Sequence, residues 1–350
     1  MKLEQMLRDM VETPGISGFE HIVSGVIQRY FQDLADEFRS DRLGNLVMHK
    51  KGMGPNSIKI MLAAHMDEIG LMVKKIDDKG FIQFTNIGGV DQRTLLTQEV
   101  MVHGTQDLFG VIGTKPPHIL DPSDRSKAIK MEDMLIDVGL SKEEVEKIVR
   151  VGDSITIHRK MITLQNGLIA AKALDDRAGV AVMYECLQIL QKLKHQCDVY
   201  AVATVQEEVG TRGATVSTYN ILPDIGIAID VTFGSTPELS KDETYELGKG
   251  PTIGLGANIH PKIYDRFVQI AKDHNIPYHV EIVPGHSGTD AWAMQVTQSG
   301  VATGLLSIPL RYMHTSVETL DTNDIKNTGK LLAYFIASLD EEDLEGFLCY

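Results

Sequence analysis

Four runs in this chain are apolar at nearly every position: IKIMLAA (58–64), DVYAVATV (198–205), DIGIAIDV (224–231) and GVATGLLSI (300–308). A strand with one face in water alternates apolar and polar residues. A strand without that alternation must be covered on both faces, which means a largely parallel sheet between layers of helix. Apolar stripes at helical spacing supply the cover over 3–12, 19–34, 177–193, 261–274, 290–299 and 323–339. In the second of these the stripe is Ile22, Val23, Val26, Ile27 and Phe31. The expected fold class is α/β, with a mostly parallel central sheet flanked by helices.

Between residues 71 and 163 the texture changes. Short alternating or β-branched runs (LMVKKI, FIQFTNI, EVMVHG, FGVIGT, DSITIH) are separated by Gly, Asp and Pro, the pattern of a small sandwich or barrel. Ser141 followed by Glu144 is a capping box that should open a helix over KEEVEKIVR. The expected organisation is an α/β unit in two pieces, 1–70 and 164–350, with a β-rich insertion at 71–163.

The exits of the apolar strands carry one kind of residue. The run at 58–64 ends in His65, with Asp67 and Glu68 following; that at 198–205 leads to Glu207 and Glu208. Asp230 closes the third, and the fourth leads through PLRYM to His314. In an open α/β sheet, ligands bind beyond the carboxyl ends of the strands, so parallel strands would bring all these groups together. Asp175 and Asp176, in AKALDDRAG, stand just before a helix, whose free N–H groups favour anions.

Each group alone has an ordinary structural explanation: a cap, a solvated turn, a satisfied core histidine. Their coincidence at successive strand ends points to a divalent metal site with imidazole nitrogen and carboxylate oxygen donors. His65, Glu208, Asp230, His314 and one of the paired aspartates overfill a single tetrahedral ion. They divide well between two ions that share a bridging aspartate, an arrangement that activates water. Asp67 is then free to orient His65, and Glu207 to move a proton between water and a leaving group.

A formal net charge of −14 argues against nucleic acid and anionic membranes as partners. No apolar run approaches the ~18 residues of a membrane span. The amphipathic N-terminus has no signal-peptide core. Cys186, Cys197 and Cys349 form neither a metal spacing nor a disulfide framework. A cytoplasmic location is expected.

The ordered motifs AAHMDEIG, ALDDRAG, VQEEVGTRGA, AIDV and MHTSVE resemble the glutamyl and tetrahedral (TET) aminopeptidases, dinuclear metallopeptidases of the zinc-exopeptidase clan. The resemblance spans essentially the whole chain. It implies His65 and Asp230 on one ion, Glu208 and His314 on the other, Asp175 bridging, Asp67 behind His65, and Glu207 as general base. Two divalent ions per chain are implied, zinc or cobalt, with manganese as a further candidate. The activity implied is removal of the N-terminal residue from short peptides. The inserted domain is implied to mediate dimerisation, and the dimers to build a homo-oligomeric dodecamer.

PGHSGTDAWAM (284–294) matches a family segment near the substrate pocket, making His286, Ser287 and Thr289 candidate substrate contacts; Thr289 or Asp290 equally suits a helix cap. His260 is a candidate cleft residue and Arg212 either a substrate clamp or a structural ion pair. Two alternatives stand beside the peptidase reading. Some relatives carry an endoglucanase label, although a β-1,4-glucan hydrolase needs a carboxylate pair and no histidines. A non-catalytic shell-forming protein is the other.

Overall fold

The computed structural model describes residues 2–54, 58–119, 127–240, 242–340, 343, 346 and 347; Cys349 lies outside them. Helix α1 (Lys2–Glu12) buries Leu3, Met6, Leu7, Met10 and Val11. It ends before Pro14, which has no N–H to continue it. Helix α2 (His21–Phe31) buries Val23, Val26, Ile27 and Phe31. Ile22 departs from the expected stripe and faces solvent, because it stands about 100° around the helix from Val23, at the margin of the apolar face.

Strands β1 (Glu37–Ser40), β2 (Leu46–Lys50) and β3 (Lys59–His65) follow. The insertion then contributes β4 (Gly70–Ile76), β5 (Ile82–Ile87), β6 (Glu99–His103), β7 (Asp107–Gly113), β8 (Leu135–Asp137), helix α3 (Lys142–Val145) and β9 (Ser154–Ile157). Next come β10 (Ile162–Thr163), β11 (Leu168–Ala171), α4 (Leu174–Leu190), β12 (Asp198–Thr204), α5 (Arg212–Ile221) and β13 (Ile225–Phe233). The chain continues through β14 (Thr252–Gly256), α6 (Pro261–Asp273), β15 (His279–Val283), α7 (Asp290–Gln295), β16 (Ala302–Leu310), β17 (Glu318–Asp321) and α8 (Thr322–Ala337).

Among the described residues the main sheet has eight strands in the order β1-β2-β12-β3-β13-β16-β14-β15. The four runs singled out from the sequence are its centre: β12, β3, β13 and β16 are mutually parallel. Their lack of alternation has a direct cause. Ile60, Leu62 and Ala64 of β3 enter one core with α1, α4 and α8, while Met61 and Ala63 enter a second core with α5 and α7. Strand β14 runs antiparallel to β16, so the sheet is mixed at its edge.

The insertion closes into a barrel, β4-β5-β8-β7-β6-β9. Alternate residues fill it, including Leu71, Val73, Ile82, Phe84, Val100, Val102 and Ile155. On its outside, Phe109 and Val111 of β7 are exposed.

Several elements differ from expectation. The Ser141–Glu144 capping box is present, but α3 stops at Val145. The Ile148 carbonyl instead accepts the N–H of Thr105, which ties the segment to the barrel. Helix α5 was not anticipated: RGATVSTYNI is rich in β-branched residues that favour strands. Strands β8, β14 and β15 also went unread, as did β10, β11 and β17, which form a separate three-stranded sheet. Helix α7 ends at Gln295, followed by turns to Gly300. No helix among the described residues is long and apolar enough to cross a membrane.

Candidate metal centre

The parallel strands direct His65 and Asp230, and through the segments that follow them Glu208 and His314, to one end of the sheet; Asp230 does not close its strand as expected but lies within β13, which runs on to Phe233. His65 Nε2 lies 3.1 Å from Asp175 Oδ1, and His314 Nε2 lies 3.2 Å from Asp175 Oδ2. His314 Nε2 is also 3.3 Å from Glu208 Oε1. Two groups of metal-capable atoms result, His65–Asp175–Asp230 and Asp175–Glu208–His314, with the atoms of each within 4.8 Å of one another. Asp175 belongs to both and turns one oxygen to each histidine. The adjacent Asp176 points elsewhere, its carboxylate accepting the N–H of His65 at 3.1 Å and of Gly179 at 3.1 Å.

Glu207 stands beside the first group, its Oε2 4.0 Å from His65 Nε2. Asp67 is fully buried and fixes the acidic turn: its carboxylate accepts the N–H of Glu207 at 3.0 Å and of Glu208 at 3.3 Å. Ser17 Oγ donates to it at 2.6 Å. His65 Nδ1 is held by the Asp67 carbonyl at 3.2 Å, closer than the Asp67 carboxylate at 3.6 Å. Glu318 performs a comparable service at the second group, accepting the N–H of His314 at 2.9 Å and of Asp175 at 3.1 Å.

Glu68, the third ionisable group after the β3 run, is engaged elsewhere. It accepts from Lys172 Nζ at 2.5 Å and Arg177 Nη2 at 3.2 Å, and Arg177 also caps the carbonyls of Met10 and Thr13. The two buried cations nearest the site are thus committed to Glu68.

The electrostatics reflect that imbalance. Burial, with Asp230, Asp290 and Glu208 nearby, outweighs His65 and pushes the Glu207 carboxyl up to about 10. Burial likewise drives Asp176, Asp230 and Glu318 well above the usual carboxylate range, and raises Glu208. Burial opposes ionisation of Asp175 too, but His314 and His65 against it hold it below its ordinary value. Hydrogen bonding to Asp175 and Glu208 pushes His314 up to about 11. Two imidazoles cannot neutralise this many buried carboxylates, and an isolated buried charge is costly. The donor set fits two divalent ions of the zinc, cobalt or manganese type.

The other sequence candidates fall in three places. Thr289 caps α7, accepting the Ala291 N–H at 3.3 Å, and Ser287 lies 3.0 Å from it. His286 is exposed, its ring against Trp292 with centroids 4.3 Å apart. Arg212 is exposed and donates to Gln206 Oε1 at 3.1 Å, on the turn that carries Glu207. His260 is at the far end of the sheet: its N–H bonds Thr303 at the start of β16, opposite the metal-capable groups. Beside the second group, Ile69, Leu71, Val90 and Leu95 line an apolar recess.

Ser17, Glu20 and Glu318 were missed as supporting residues, while Asp176 was read only as the alternative to Asp175. Glu20 accepts the N–H of Gln206 at 3.1 Å, one residue before Glu207. Only Glu318 carried a visible signal, standing four residues after His314 within MHTSVE.

Comparison with known proteins adds an independent line. The model of the M42 glutamyl aminopeptidases matches residues 44–331. A lysyl aminopeptidase of Pyrococcus furiosus is 40% identical over 344 residues, covering 97% of this chain and 98% of that protein. The solved aminopeptidase APDkam598 of Desulfurococcus kamchatkensis is 40% identical, with a TM-score of 0.93 over 100% of this chain and 98% of that one. The TET1 peptidase of Pyrococcus horikoshii, described as assembling into a tetrahedron or a large octahedral shell, is 33% identical; the TM-score is 0.85 over 96% of this chain and 100% of that one.

Proposed function

This chain belongs to the M42 family of glutamyl aminopeptidases, and from that premise we propose how its residues release the N-terminal residue of short peptides. His65, Asp175 and Asp230 would hold one divalent ion, and Asp175, Glu208 and His314 the other, zinc or cobalt being the leading candidates and manganese a third. When bound, such a pair supplies Lewis acidity toward the scissile carbonyl and a water acidified to near-neutral pH.

Glu207 is the proton carrier in this reading. It stands beside His65 without belonging to either ligand group. It takes a proton from the attacking water and delivers it to the departing amine, a role worth ~10²–10⁴-fold for a positioned side chain. Asp67 holds the turn that aims Glu207, and the Asp67 carbonyl keeps the His65 Nδ1–H facing away from the ligand side. The apolar recess lined by Ile69 and Leu71 opens beside the second group and offers an apolar side chain of the peptide a surface to lie against.

The observation that carries the reading is the division of Asp175, one oxygen to each histidine. The test is Glu207→Gln. Elemental analysis should find two ions per chain retained while kcat falls at least about 100-fold; near-wild-type turnover would remove Glu207 from the mechanism.

The boundaries 1–70, 71–163 and 164–350 describe a catalytic unit around a dimerisation unit. Exposed Phe109 and Val111 on the barrel support such a surface, and assembly into a dodecamer would match the solved PhTET1-12s, 32% identical to this chain and described as a dodecamer. Buried free thiols at Cys186 and Cys197 support a reducing compartment, the cytoplasm.

A further inference from the structure

The two histidines of the centre are oriented by different parts of the chain. His65 is almost fully buried, and its Nδ1 bonds a carbonyl two residues away. His314 is a third exposed, sits in a left-handed backbone conformation (φ 60°), and finds its Nδ1 partner 225 residues away in the barrel. That partner is the carbonyl of Gly89, at 3.1 Å.

The turn carrying this carbonyl follows β5 and leaves no room for side chains. A Cβ at Gly89 would lie 2.8 Å from His314 Nδ1 and 3.0 Å from Cε1. At Gly88 (φ +76°) a Cβ would lie 2.9 Å from Ile69 Cγ2 and 3.4 Å from Glu208 Cβ. The Gly88 carbonyl is tied down by Asn86 Nδ2 at 2.8 Å and by the Val90 N–H at 3.0 Å, which fixes the shape of the turn.

We propose that the Gly88–Gly89 turn of the inserted barrel is a positioning element for the second ligand group: the Gly89 carbonyl keeps the proton of His314 on Nδ1 and presents Nε2 to Asp175 and Glu208. A neutral imidazole carries one proton, and the hydrogen bond at one nitrogen decides which of the two can act as a ligand. The barrel therefore completes half of the centre. The inference rests on the two-ion reading above and adds a role for the barrel that is separate from any surface between copies.

The experiment compares cobalt binding by the wild-type chain, Gly89→Ala and Gly113→Ala, following both stoichiometry by calorimetry and the visible d–d absorption. Gly113 is also in the barrel, but a Cβ there meets nothing within 4 Å. Gly89→Ala should take the first ion normally and bind the second about 10–100-fold more weakly, the usual cost of losing a ligand's outer partner. Gly113→Ala should match wild type. A Gly89→Ala chain that binds both ions with wild-type affinity and spectrum overturns the inference while leaving the centre intact. A wild-type chain that takes fewer than two ions removes the centre itself, and the inference with it. Should Gly89→Ala not fold, a zinc-loaded wild-type crystal decides: His314 Nδ1 still bonded to the Gly89 carbonyl supports the proposal, and a ring turned to place Nδ1 on the metal side overturns it.

Discussion

Asp67 Oδ1 accepts the backbone N–H of Glu207 at 3.0 Å, linking residues 140 positions apart in the chain. The same carboxylate takes the Glu208 N–H and the Ser17 hydroxyl. One buried side chain thus sets both the proposed proton carrier and a proposed metal ligand. Carboxylates recur in this role: Asp176 holds the His65 N–H, and Glu318 those of His314 and Asp175.

Asp67→Asn should therefore be damaging although it is nearly isosteric. One oxygen becomes an NH2 that faces donors and can accept nothing. The expected result is at least a tenfold loss in kcat with KM changed less, read from steady-state kinetics. Unaltered kcat would mean that the turn holds its shape without this carboxylate.

Glu318→Gln should act on the other half of the centre. A glutamine offers one acceptor oxygen to the two N–H groups of His314 and Asp175. Elemental analysis after dialysis should show less than two ions per chain, the second bound about 10–100-fold more weakly. Full retention of both ions would show that Glu318 is dispensable to ligand placement.

Removing Glu68 should cost stability. Glu68→Ala strands Lys172 and Arg177, both buried, without their counter-charge. Breaking a buried pair in this way costs about 3–5 kcal/mol, which denaturant unfolding would register. The double change Glu68→Ala with Lys172→Met should recover part of the loss; if it is no better than the single change, the stranded charge is not the cause.

Two thiols should be inert in the native protein. Burial raises Cys186, and burial with Asp198 and Asp224 nearby pushes Cys197 up to about 12, so neither forms thiolate at neutral pH. Peptide mapping after iodoacetamide should find both unmodified until denaturant is added. Prompt native labelling of either would contradict their burial.

How much of this was legible in the sequence depended on the kind of signal. The four central strands were readable because each feeds two cores and so cannot alternate; β3, with Ile60 and Leu62 on one side and Met61 and Ala63 on the other, is the plainest case. The ionisable residues at the strand exits followed from that parallel arrangement. The choice between Asp175 and Asp176 did not, since neighbouring carboxylates look alike until the fold aims one at both histidines and the other at backbone N–H groups. Ser17, Glu20 and Gly89 were invisible for a related reason. Each acts across the fold on a residue far away in the chain, and nothing near it in sequence marks the partner. Glu68 was legible as a buried acid, but its partners Lys172 and Arg177 were not.

Asp175 should lie between two cations, and anomalous diffraction at the zinc edge from zinc-grown crystals tests that directly. Two peaks are predicted, one shared with His65 and Asp230 and one with Glu208 and His314, with Asp175 touching both. A single peak, or a pair with Asp175 bound to only one, would contradict it.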